Sequence, residues 1–229
     1  MIKLYERHED IVCYILIIVY IIINSFCINN FGIDDYRSSI INSLLSLFLI
    51  ILIIKINKLK YYGICKVTNI KKYMYWLPLI LIISINLWNG ININNRIDEI
   101  IFYIITMINI GFIEEIIFRG FLFRMIEKDN LKIAILISSV TFGFGHVINL
   151  FNGADLIPTL FQICYATSIG YLFVTIFYNS GSLLPCIITH SLVNALSIFN
   201  INNNSIYISS IFLIIIPIIY VFYINKIKI

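Results

Sequence analysis

The chain has 229 residues, of which 60% are hydrophobic and only 12% charged, about half the charged share of an average soluble domain. Several apolar runs reach the ~18 residues that mark membrane-spanning helices, which leaves an all-α, polytopic membrane protein. The net charge of +4 is modest, the basic residues fall between the apolar runs, and no aromatic–basic interleaving or phosphate-cradling loop points to nucleic acid.

In chain order, the N-terminal "MIKLYERHED" mixes both signs of charge and no A-x-A-like site follows, so the first apolar run reads as an uncleaved anchor. Hydropathy then predicts about eight spans: Ile11–Ile28, Ile40–Ile56, Tyr73–Trp88, Glu99–Met125, Leu131–Leu150, Leu156–Tyr178, Leu183–Phe199 and Ile206–Ile224. Between them lie clusters of Asn, Gly, Ser and charge such as "NNFGIDDYRSS" and "FNGAD", which are turn formers. Three parts follow: residues 1–98 hold three spans without a motif, residues 99–199 hold the polar spans, and residues 200–229 hold a last span and a short tail. Cys13, Cys27, Cys65, Cys164 and Cys186 show no metal or redox spacing and read as small hydrophobes.

Lysine and arginine set the orientation. Lys3, Arg7, the Lys55–Lys72 loop, Arg124, Lys128, Lys132, Lys226 and Lys228 share one side if the spans alternate; Arg37 and Arg96 fall on the other. Both termini are therefore expected in the cytoplasm, and the AT-rich residue usage fits the plasma membrane of a bacterium.

The fourth span carries "GFIEEIIFRGFLF". A charge at a span centre costs about 2.5–3.5 kcal/mol on an insertion scale, so Glu114, Glu115 and Arg119 together cost on the order of 8–10 kcal/mol before pairing. That helix should face the bundle interior. Glu115 and Arg119 are i and i+4, in the favourable order for an ion pair. Glu114 lies about 100° around the helix and projects elsewhere, free to act as an acid or base; a scaffolding charge cluster is the plainer alternative.

Two later spans also break the apolar rule. "TFGFGHVIN" sets His146 one turn after Phe142, and "THSLVNAL" sets His190 and Asn194 at i and i+4. At 1.5 Å per residue, Glu114 and His146 lie roughly 20 Å and His190 roughly 12 Å from the expected cytoplasmic ends, so a shared cavity in the cytoplasmic half is expected. A carboxylate with a histidine can hold and deprotonate water. A second histidine with an asparagine amide can stabilise an oxyanion. No intramembrane Ser or Cys stands beside a matching base, which favours attack by water.

At these residues the sequence resembles the CPBP family of intramembrane proteases, which includes the CAAX prenyl endopeptidases and bacterial Abi and bacteriocin-immunity proteins. The resemblance rests on Glu114-Glu115-Ile-Ile-Phe-Arg119, Phe142-Gly-Phe-Gly-His146 and His190-Ser-Leu-Val-Asn194, in that order. It implies that Glu114 is the general base acting on water with His146, that His190 and Asn194 form the oxyanion hole, and that Glu115, Arg119 and Phe142 support them. The implied substrate is a membrane-associated peptide, cut near its C-terminal end. Two histidines and a glutamate could bind zinc, but HExxH is absent, so no cofactor is the favoured expectation. A proton-coupled transporter and a non-proteolytic immunity or scaffold protein are the competing classes. No paired broken helices or internal repeat favours the transporter.

Overall fold

The computed structural model describes residues 2–67, 77–201 and 206–227. Every regular element in them is a helix: α1 (Ile2–Arg7), α2 (Glu9–Asn30), α3 (Tyr36–Lys55), α4 (Leu77–Ser84), α5 (Ile97–Glu115), a π-helical segment (Ile116–Phe123), α6 (Arg124–Glu127), α7 (Leu131–Gly145), α8 (Ile148–Phe151), α9 (Leu156–Ser180), α10 (Leu184–Leu196) and α11 (Ile206–Ile227). Short 3₁₀ turns follow α4 (Ile85–Leu87) and α10 (Ser197–Phe199).

Among the described residues, six stretches are long and apolar enough to cross a membrane: Glu9–Asn30, Tyr36–Lys55, Ile97–Glu127, Leu131–Phe151, Leu156–Ser180 and Tyr207–Lys226. Six of the eight expected spans are therefore matched by long apolar helices. The expected third and seventh spans are shorter apolar helices, Pro78–Leu87 and Leu184–Phe199. Residues 73–76 of the expected Tyr73–Trp88, together with Lys71, Lys72 and Lys228, lie outside the described residues. The seventh keeps its expected bounds to within one residue, set by local chemistry. Gly181 takes the left-handed conformation (φ 70°) that ends α9, Pro185 in the first turn of α10 fixes its start, and extended Asn200 stops it.

Contacts between helices set their directions. Ser39 Oγ donates to Phe102 O (2.8 Å) and Asn109 Nδ2 to Ser43 Oγ (3.1 Å), so α3 and α5 run parallel. The chain must therefore return to the starting end between them, which is the path of α4. At α10, Leu183 N donates to Gly63 O (2.8 Å) at one end, and Phe199 O accepts from Asn92 N (2.9 Å) at the other. The short helices thus still join opposite ends of the bundle. Lys128 pairs with Glu9, and Arg124 Nε donates to Tyr61 O (3.1 Å), which gathers the N-terminus, the Lys58–Lys66 loop and the α6–α7 turn at one lysine-rich end. Arg37 and Arg96 sit at the other end, each paired locally with Asp35 and Asp98.

The outward faces are apolar, with Ile22, Leu44, Leu136 and Phe222 exposed, whereas Ser39, Asn42, Thr106 and Ser138 are buried between helices. Water would penalise such a surface; hydrocarbon does not, and helices in lipid associate through small residues and interhelical hydrogen bonds. This pattern, with the six long apolar helices, marks an integral membrane protein.

Candidate active site

Glu114 and Glu115 are the last residues of α5, and Arg119 lies in the π-helical segment that continues it. All eight residues from Ile116 to Phe123 are buried. Spacing arguments for this stretch assumed a plain α-helix; the structure differs. Residue propensities carry no signal for a π-helix, in which backbone bonds close i→i+5 turns, often at functional sites. Glu115 and Arg119 still meet because their pair straddles the junction.

Arg119 Nη1 donates to Glu115 Oε1 at 3.0 Å, and both side chains are 0% exposed. His190 Nδ1 meets the same Glu115 oxygen at 2.8 Å. A carboxylate accepts but does not donate, so the proton of that bond is on Nδ1, which fixes how the ring is turned. The Arg119 Nε and Nη2 groups have no hydrogen-bond partner. They lie over aromatic carbon instead, with the guanidinium carbon 3.9 Å from the centre of the Phe142 ring, a cation–π contact out of water.

Glu114 points the other way, as the 100° offset requires. Its Oε1 accepts from the Tyr20 hydroxyl on α2, and its Oε2 lies 3.4 Å from His190 Nε2. His190 thus stands between the two glutamates, one nitrogen toward each. Tyr20 was not legible as a site residue. A tyrosine in an apolar span is ordinary, and although a buried hydroxyl needs a partner, nothing local names one on another helix.

Phe142 holds the arrangement from a third side. It faces Arg119 and meets the rings of His190 (5.6 Å, 89°) and His146 (5.6 Å, 78°) edge-on. His146 caps the end of α7 and lines the same cavity as Glu114, His190 and Asn194. That cavity measures about 400 Å³. Close approach of α5 to α10 depends on Gly111, where a Cβ would lie 2.8 Å from Ser191 N and 2.9 Å from its Cα. Ser191 adjoins His190, so the spacing between Glu114 and His190 is set there.

The depth expectation needs revision. The cavity runs from Glu114 and His190 toward Ile33, Asn149 and Ser197, at the end opposite the lysine-rich loops, and not into the half expected to be cytoplasmic. Counting residues along single helices cannot tell which side of a buried group is hollow.

Among the described residues no group of three His, Cys, Asp or Glu side chains converges in a way that could hold a metal ion. Glu115 holds Nδ1 of His190 and Glu114 lies 3.4 Å from Nε2; a carboxylate on one ring nitrogen leaves the other available to a ligand or a proton, so the His190 contacts do not decide between a metal-bound and a metal-free water.

All three motifs fall within residues 96–196, which match the family model type II CAAX prenyl endopeptidase Rce1-like. Over that segment the chain is similar to the Rce1-like family. Comparison with the curated proteins and with the solved structures gave no match. The Rce1-like segment comprises α5 to α10 and carries Glu114, Glu115, Arg119, Phe142, His146, His190 and Asn194. Tyr20 lies outside it.

Proposed function

We propose that the chain is an intramembrane endopeptidase that cuts a membrane-associated peptide with water activated by Glu114. One observation carries this reading: adjacent glutamates hold separate positions, Glu115 closed against Arg119 and His190 Nδ1, Glu114 facing the cavity between Tyr20 and His190 Nε2. The first pair costs little to keep charged because it is mutually compensated. The second leaves a carboxylate oriented by donors but open to a reactant.

In this mechanism Glu114 and His146 hold a water beside the scissile carbonyl. Glu114 takes a proton as the water oxygen bonds to the carbonyl carbon, and the carbonyl oxygen becomes an oxyanion. Asn194 Nδ2 and protonated His190 Nε2 donate to that oxygen. When the tetrahedral species collapses, the C–N bond breaks and Glu114 returns the proton to the leaving nitrogen. Glu115 stabilises the imidazolium through Nδ1, and Arg119 keeps Glu115 in place. No metal takes part in this scheme.

The test is cleavage of a quenched reporter peptide by the detergent-purified chain. Glu114→Gln keeps shape and removes the base, so the rate should fall by at least ~10²-fold, the lower range for acid–base catalysis. A stable and fully active Glu114→Gln would remove the mechanism.

A further inference from the structure

The cavity is lopsided about its glutamate. Toward the lysine-rich end aromatic rings cover the π-helical segment: Tyr62 is 0% exposed, lies over Gly120, and meets Phe121 at a tilt with ring centres 4.4 Å apart. Phe123 meets Phe177 beyond them. All the cavity's further walls lie toward the other end, from Asn24, Ile33 and Tyr103 to Asn149, Gln162 and Ser197.

Those walls are rich in amides and nearly free of charge. Among the described residues, Glu114 is the one Asp, Glu, Lys or Arg that lines the cavity. Asn149 Nδ2 donates to Gln162 Oε1 at 2.9 Å, and Asn86 Nδ2 to Val193 O at 2.7 Å. Asn24 Oδ1 is buried without a hydrogen-bond partner, an unmet acceptor in the wall of the cavity. A peptide strand brings one N–H and one C=O per residue that must be met on leaving water, and an amide side chain offers both a donor and an acceptor. Away from Glu114 and His190, a charged side chain would find no counter-ion among the described lining residues and would pay for its desolvation.

We propose that the cavity takes its peptide from the end opposite the lysine-rich loops, as an uncharged extended segment held through its main chain by these amides. By the bias of Lys and Arg that end is extracytoplasmic, so the substrate class is a neutral peptide segment presented at the outer face of the membrane. What happens to the peptide rests on the endopeptidase reading; the side of access does not.

Two measurements test it, both on Glu114→Gln so that neither needs turnover. Cys65 and Cys164, the cysteines that are not buried, are replaced by Ser, and single cysteines are placed at Asn149, Ile33 or Lys60. An impermeant maleimide on intact cells should label Asn149→Cys and Ile33→Cys, and should label Lys60→Cys only after permeabilisation. The reverse pattern, or failure of both Asn149→Cys and Ile33→Cys to label in detergent, overturns the access side. In detergent, a capped hexapeptide of Ala, Ser and Leu should slow labelling of Asn149→Cys at least ~5-fold, whereas the same peptide with a central Lys or Asp should not. No protection, or equal protection by both, overturns the substrate class. Reporter cleavage by Glu114→Gln would overturn the endopeptidase mechanism while leaving the access side standing.

Discussion

The hydroxyl of Tyr20 donates to the carboxylate of Glu114, across 94 positions of sequence and from a helix outside the Rce1-like segment. The N-terminal helix therefore does more than anchor the chain: it orients the group proposed as the base. Tyr20→Phe removes that hydrogen bond and nothing else of similar size. A hydrogen bond to a charged acceptor is worth about 1.5–3 kcal/mol, so kcat should fall roughly 10- to 100-fold. The melting temperature in detergent should stay within a few degrees, since the ring keeps its place. An unchanged kcat would reduce Tyr20 to packing.

The second prediction separates the two glutamates by stability. Glu115→Gln leaves Arg119 fully buried with only aromatic faces for company. Breaking a buried pair from one side costs about 3–5 kcal/mol, so this variant should lose thermal stability and expression as well as activity. Adding Arg119→Met should restore part of the stability. Glu114→Gln should melt near the parent. Equal destabilisation by Glu114→Gln and Glu115→Gln would end the division of labour.

Gly111→Ala tests the spacing of α5 and α10. The new methyl would meet the backbone of Ser191, which cannot rotate away, so the helices must part by some tenths of an ångström. Small displacements of reacting groups can cost as much as ~10²-fold in rate. The expected result is a large loss of kcat with the protein still folded and extractable; a fully active variant would show that the approach of these helices does not position the site.

Metal dependence gives a fourth. On the metal-free mechanism, activity should survive prolonged treatment with phenanthroline. Loss of activity that stoichiometric zinc restores would make Glu114, His146 and His190 the ligands, with Glu115 holding His190 through Nδ1.

Much of the site was readable because burying charge in an apolar helix is so costly that any retained charge announces itself. Glu114, Glu115, Arg119, His146, His190 and Asn194 stood out for this reason, and the i,i+4 rule paired Glu115 with Arg119 correctly. The hidden features have ordinary residues behind them. Tyr20 resembles any interfacial aromatic, and the π-helix of Ile116–Phe123 uses the same residues as an α-helix would. Phe142 was marked only by the motif; its hold on Arg119, His146 and His190 is a matter of tertiary placement. The seventh span, expected at Leu183–Phe199, lies at Leu184–Phe199, because Pro185 near its start and the polar Asn200 after it are boundaries that a sequence shows.

The shortness of that span has a consequence for the surrounding lipid. Leu184–Phe199 amounts to thirteen α-helical and three 3₁₀ residues, which at 1.5 and 2.0 Å per residue span about 25 Å, less than the ~30 Å of a typical hydrocarbon core. Ile188 and Leu192 on its outer face are exposed, so lipid tails reach this helix and must shorten or splay to match it. A bilayer thinned beside His190 is the expected response, and it would carry a peptide lying at the interface closer to the midplane than elsewhere. Turnover in vesicles should consequently respond to acyl-chain length, falling as longer chains make that thinning harder to sustain.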